Sequence, residues 1–492
     1  MPRKTTFGSM LKQTGIYGVP VLVRRLSAIA LIPLFTRRLS TAEYGIIELV
    51  DLSLFLATLL FGLKLGDALL YSYANADTSE QKAGVVGSAL VAAGAFGLLA
   101  GVSVVSLAGP LAGLVLGGVE NSGFLRLAAA NLVFLFPLEV GLSWLRASGR
   151  SIAYGWVSAV RILLQIALVL LLMLGFDWRV EAFLWANIVT SAIVSAYLVG
   201  AAVRQDGFLV SVPQLTFQVR YGAPLAVHGL AMLFVHYGDR FFLQSAGGLS
   251  AVGIYALSYK VGMTVSYVQS PFDMYWRAQA FHILKEEEGR TLYARTFTYY
   301  ISCLALVAVT VAAFSSALIK VMAGHEFQAA AQYVPWLALA YLLRAAADFF
   351  RTVMRTEAKT TLEAVVTTIS ALICLGAYAA LIPRFGISGA AGATVLGFAC
   401  MAMLSYWAAQ RLVAIQFEHA RLLKLSVLVV FAIALSCTPV KHLGAQLALG
   451  AAVLLAFASG LWRWVFDATE RTVVLSAWKS RLRAMGLAPG TA

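Results

Sequence analysis

Long apolar runs separated by short polar turns recur from one end of the chain to the other. Most runs are about 18 to 25 residues, the length a helix needs to cross a hydrocarbon core about 30 Å thick. By this criterion about fourteen spans are expected. They include Thr14–Phe35, Tyr44–Leu65, Phe124–Leu145, Ile152–Leu174, Tyr221–Ala246, Ala251–Phe272, Thr361–Ile382 and Ile387–Gln410, with the shortest, Leu425–Pro439, ending at a proline. Alternation over ten-residue segments, the mark of a membrane barrel, is not the pattern here. The expectation is an all-α polytopic membrane protein. The N-terminal stretch MPRKTTFGSMLKQ has no signal-cleavage site and is expected to lead directly into the first span.

Composition agrees with the pattern: 60% hydrophobic and 12% charged residues, with a mean hydropathy of +0.82 over 492 residues, lie outside the soluble range. Lys and Arg in the loops set the orientation. With the N-terminus inside, roughly 23 fall in cytoplasmic segments and about 6 outside, a strong positive-inside bias that places both termini in the cytoplasm. One loop departs from it: TRRLSTAE, carrying Arg37 and Arg38, falls outside. The formal charge of +14 therefore reflects topology and attraction to the anionic inner leaflet, and no nucleic-acid partner is expected. Cys303, Cys374, Cys400 and Cys437 stand singly in or beside apolar spans, with no metal-ligand spacing or disulfide framework.

The chain also resembles itself. Tyr17-Gly18-Val19-Pro20-Val21-Leu22-Val23-Arg24-Arg25-Leu26 matches Tyr221-Gly222-Ala223-Pro224-Leu225-Ala226-Val227-His228-Gly229-Leu230, and LSTAEYGII from Leu39 resembles LSAVGIYAL from Leu249. An even number of spans separates the copies, which makes them parallel repeats. Pro20 and Pro224 each precede a polar position by about one turn and are expected to bend their helices. A two-lobed transporter would bring Arg24 and His228 to one cavity, with Arg25 pointing about 100° away around the helix. Arginine in mid-membrane costs from a few to more than ten kcal/mol, so Arg24 and Arg25 are functional candidates waiting for an anion.

Further motifs carry a family resemblance. Gly238 to Gly262, GDRFFLQSAGGLSAVGIYALSYKVG, resembles the seventh-to-eighth helix signature of the multidrug/oligosaccharidyl-lipid/polysaccharide exporter superfamily, most closely its polysaccharide (O-antigen and exopolysaccharide repeat-unit) flippase branch. LIPLFTRRLSTAEYGIIELV is similar to that branch's opening pattern, and IPRFGISGAAGATVLG, Ile382 to Gly397, to its eleventh-to-twelfth connection. The resemblance implies two six-helix lobes related by pseudo-twofold symmetry plus a C-terminal helix pair. On this chain they are an N-lobe over 1–203, a cytoplasmic linker over 204–220, a C-lobe over 221–412, helices thirteen and fourteen over 413–465, and a cytoplasmic tail over 466–492. It further implies a substrate carried on undecaprenyl pyrophosphate, moved between leaflets of a bacterial inner membrane for surface polysaccharide synthesis. Membrane lipids and polymerase or export machinery would be its partners. Guanidinium suits a pyrophosphate because it hydrogen-bonds in a bidentate fork.

Other charges within spans extend the candidate set. Lys260 and Arg240 join Arg24, Arg25 and His228 as cationic, substrate-binding candidates, while Asp51, Glu139, Arg161 and Asp239 are candidates for ion coupling or structural pairing. Lys64 with Asp67, and Arg344 with Asp348, are spaced to pair on one helix face and read as interfacial anchors. The tail from Trp462 alternates apolar and basic residues, as an interfacial helix does. No cofactor, metal or catalytic residue is expected; proton or sodium coupling is the energetic candidate. Competing functions are a peptidoglycan-precursor lipid flippase, an ion-coupled multidrug exporter, and, from another class, a membrane polymerase or glycosyltransferase. The exporter would favour carboxylates over arginine, and the polymerase would need a sizeable external loop where only short ones occur. No phosphate-cradling Walker sequence is visible.

Overall fold

The computed structural model describes residues 31–286, 289–438, 440, 442–468 and 470–472. Helices dominate, and no strand occurs among the described residues. Arg24 and Arg25, the first copy of the repeat, and the tail beyond 472 lie outside them. Among the described residues, ten helices are long and apolar enough to cross a membrane. Contacts gather the described residues into two compact units, one of 31–256 with 322–327 and 378–390, the other of 257–321, 328–377 and 391 onward. These contact units and the expected lobes divide the chain at different places: the first helix of the second repeat packs in the first unit.

In the first unit the helices are α1 (Ile32–Arg38), α2 (Thr41–Gly62), α3 (Leu65–Ala74), α4 (Ser79–Ser106), α5 (Ala108–Val115) and α6 (Ser122–Ala147). They continue with α7 (Ser151–Leu170), α8 (Val180–Asp206), α9 (Val212–Tyr237) and most of α10 (Asp239–Gly262). Two starts carry full capping boxes. Ser40 Oγ accepts from the Glu43 amide at 3.2 Å while Glu43 accepts from the Ser40 amide at 2.8 Å, and Thr78 with Gln81 repeats the arrangement. Leu52, Leu59 and Leu233 form a core between α2 and α9. By contrast α7 turns Ile152, Trp156, Val160 and Leu163 outward, a stripe at helical spacing suited to lipid.

Two close approaches organise this unit. A Cβ on Gly45 would lie 2.1 Å from the Leu249 carbonyl oxygen, and one on Gly253 would lie 2.0 Å from that of Thr41. The starts of α2 and the second part of α10 therefore cross backbone to backbone, each offering a glycine to the other's carbonyl. The connection over 207–211 is strapped to α4. Leu209 donates its amide to the Ala83 carbonyl at 3.4 Å, and the Ser211 amide donates to Ser88 Oγ at 2.9 Å. Gln218 Nε2 then donates to the Val85 carbonyl at 3.0 Å.

The second unit holds α11 (Thr264–Ile283), α12 (Gly289–Ala313), α13 (Ser315–Met322), α14 (Val334–Thr356), most of α15 (Thr360–Leu412), α16 (His419–Ser436) and α17 (Leu443–Gly460). Trp276, Tyr293, Phe297 and Phe349 pack ring on ring in its interior, with centroids 4.7 to 5.2 Å apart. The 53-residue α15 is two helices meeting at Gly386, φ 54°, and α10 breaks likewise at Gly248, φ 72°; only glycine takes such angles without penalty. The break at Gly386 falls in the gap expected between Ile382 and Ile387.

Candidate functional site

The second expected span, Tyr44–Leu65, is not one helix. It stops at Gly62, and Leu63 (φ 43°, ψ 33°) and Lys64 (φ 51°, ψ 35°) both take the left-handed conformation before α3 begins. For residues with a Cβ this costs about 1–2 kcal/mol each, and strain of this kind concentrates at functional positions. The Lys64–Asp67 pair expected from i,i+3 spacing does not form, because Lys64 lies in the break and not on the helix face. No side chain caps α3. The neighbouring α9 packs against the break: a Cβ on Gly222 would lie 1.8 Å from the Leu63 carbonyl oxygen.

The break opens onto a cavity of about 550 Å³ inside the first unit. Its polar wall comprises Asp51 and Thr58 of α2, Lys64, Asp67 of α3, and Asn131, Glu139, Ser143 and Arg146 of α6; Arg161 of α7 and Asn187 of α8 complete it. Glu139 and Arg161 face one another at 3.7 Å, with side chains 52% and 26% exposed, so the pair is open to the cavity. Arg146 Nη2 donates to Ser143 Oγ at 2.8 Å. Asn187 Oδ1 accepts from Gln165 Nε2 at 2.8 Å. Asn131 differs: it is 4% exposed and its Oδ1 has no hydrogen-bond partner.

The sequence candidates are distributed unevenly around this cavity. Asp51, Glu139 and Arg161 line it. His228 is exposed on α9, which runs helically through Pro224, and its neighbour Gly229 lies close to Lys64, whose Cε would be 3.5 Å from an added Cβ. Asp239 and Arg240 lie elsewhere, in a closed network. Arg240, 2% exposed, pairs with Asp239 at 3.3 Å and approaches Glu48 at 4.0 Å, while Tyr255 donates its hydroxyl to Asp239 at 2.6 Å. The Arg240 guanidinium also lies 5.0 Å from the Tyr237 ring, a cation–π distance. Lys260 is half-buried in the second unit.

Several polar residues carry no signal in the pattern of charges within the apolar runs. Asn131 and Asn187 are amides within apolar runs, and that interruption was the only signal available. In the second unit, Gln269 Nε2 donates to Asp273 at 2.8 Å and to Asp348 at 3.0 Å. Asp348 also pairs with Arg351 and, at 3.9 Å, with the expected Arg344. Asp273 carries none because it follows the apolar run of its span. Among the described residues no group of acidic, His or Cys side chains is arranged to hold a metal.

A family model described as polysaccharide biosynthesis protein matches residues 10–274. No curated protein sequence matches the chain. Among solved structures, the lipid II flippase MurJ in an inward closed conformation aligns with a TM-score of 0.70 at 11% identity, over 91% of this chain and 98% of its own. An inward-facing MATE family multidrug resistance transporter aligns at 0.61 and 17%, over 81% and 94%. The Vibrio cholerae MATE transporter VcmN, as a point mutant, aligns at 0.57 and 17%, over 82% and 98%. Identities this low speak for a shared fold.

Proposed function

The chain belongs to the polysaccharide biosynthesis protein family, within the multidrug/oligosaccharidyl-lipid/polysaccharide exporter superfamily, and from that premise we propose that it flips polyprenyl-pyrophosphate-linked oligosaccharides. They would pass from the cytoplasmic to the external leaflet of a bacterial inner membrane by alternating access. The observation that carries the reading is the charged cavity within a lipid-facing helical unit. A cavity lined by carboxylates, amides and cations suits a sugar-phosphate headgroup that must leave water while its tail stays in lipid. Arg24 and Arg25 are the proposed pyrophosphate contacts along the path, with His228 and Lys260 as further cations. Proton or sodium coupling is assigned to the membrane carboxylates. The chain acts as a transporter and not as an enzyme, and hands its cargo to polymerase and export machinery outside.

The test is flipping in proteoliposomes. A fluorescent undecaprenyl-pyrophosphate oligosaccharide is scored by an impermeant quencher, with lipid II and a soluble organic cation as competing cargoes. The wild type is expected to flip the oligosaccharide lipid, and Arg24→Ala to abolish flipping at unchanged protein abundance. Lipid II transport alone would favour the peptidoglycan-precursor alternative. Ion-driven cation export without lipid flipping would overturn the substrate.

A further inference from the structure

The cavity in the first unit is elongated and graded along its length. On α6 its wall runs from Asn131 to Arg146, roughly 22 Å at 1.5 Å per residue. One end, where Gly66 packs against Ser143, holds Lys64, Arg146 and the uncapped start of α3. Unsatisfied amides at a helix start attract anions, and interrupted membrane helices aim such starts at anionic substrate groups. Asp67, exposed in that same first turn, tempers the positive potential without bonding the terminus. At the other end the wall is Asp51 and Asn131, whose buried Oδ1 lacks a donor. An orphan acceptor costs about 1–3 kcal/mol unless something fills it.

We propose that this open groove of the first unit is the loading site for the headgroup. The pyrophosphate would sit at the Lys64 break and the glycan would extend along α6, giving a hydroxyl to Asn131 Oδ1 once the amide rotates that buried atom into the groove. Asp51 and Glu139 accept further sugar hydroxyls on the way, as carboxylates in a narrow site do. The positive-inside expectation puts the break near the cytoplasmic surface, where the cargo's pyrophosphate first lies. The strained Leu63–Lys64 turn is then explained: a continuous helix would have no amide terminus there. This inference rests on the flippase reading and adds where the sugars go.

The experiment compares two probes bound to the full chain in nanodiscs: polyprenyl pyrophosphate without sugar, and the pool of polyprenyl-pyrophosphate oligosaccharides from the producing cell. Lys64→Met should weaken both probes by about tenfold, the size of one charge-assisted hydrogen bond. Asn131→Leu should weaken the glycan-bearing probe about tenfold more than the bare one, a ratio that misfolding alone does not produce. If both variants bind and flip the glycan lipid as wild type does, the groove is not the site and the flippase reading stands. If wild type prefers neither probe and flips neither lipid, the flippase reading falls and this inference with it.

Discussion

At the residue scale, burial separates charges that look alike in the sequence. Arg240 is enclosed with Asp239, and removing one member of a buried pair costs about 3–5 kcal/mol because the other is left uncompensated. Arg240→Met is therefore expected to lower the thermal unfolding midpoint in detergent clearly. Glu139→Gln, whose side chain is 52% exposed to the cavity, should shift it little, since an open pair is worth about 0–1 kcal/mol. Charge within an apolar run marks Asp51, Glu139 and Arg161, which line the cavity, but it marks Arg240 equally. Which side of a helix faces a cavity depends on partners far away in sequence, such as Glu48 for Arg240, and no local pattern carries that. Asn131 was illegible for another reason: a single amide in a span is read as packing until its missing partner is seen.

At the element scale, the apolar runs gave the helices well and their interruptions unevenly. The break at Gly386 was legible because glycine marks it. The break at Leu63–Lys64 was not, because neither residue favours a left-handed turn and the strain is sustained by packing from α6 and α9. The crossing of Gly45 with Gly253 tests how exacting such packing is. Gly45→Val would drive carbons into the Leu249 carbonyl, and overpacking of this kind costs about 1–3 kcal/mol or more. A lower unfolding temperature and reduced yield are expected for Gly45→Val and Gly253→Val alike. Gly94→Val, where an added Cβ meets nothing within 4 Å, should unfold as the wild type does.

For the molecule as a whole, the alternation of spans is checked by which loops meet. Arg38 pairs with Asp177 at 3.2 Å and Arg179 with Glu43 at 3.1 Å, joining loops that the span count places outside. Tyr73 and Trp144 both donate to Asp206, joining segments it places inside. The basic loop TRRLSTAE thus departs from the charge rule with acidic neighbours to offset it. In a chain with the four native cysteines replaced, an impermeant maleimide on intact cells should modify Arg38→Cys. Arg204→Cys should react only after permeabilisation. Labelling of Arg204→Cys in intact cells would invert the orientation.

The strap over 207–211 bears on ancestry. Its hydrogen bonds to α4, with the one from Gln218 beyond it, hold the second repeat's first helix against the first repeat's helices independently of the peptide bonds between them. A chain cut within the strap would keep contacts on both sides of the cut. Two polypeptides divided there would therefore keep this interface, and a gene that began as separate pieces would have needed no new contact at the strap when it was joined.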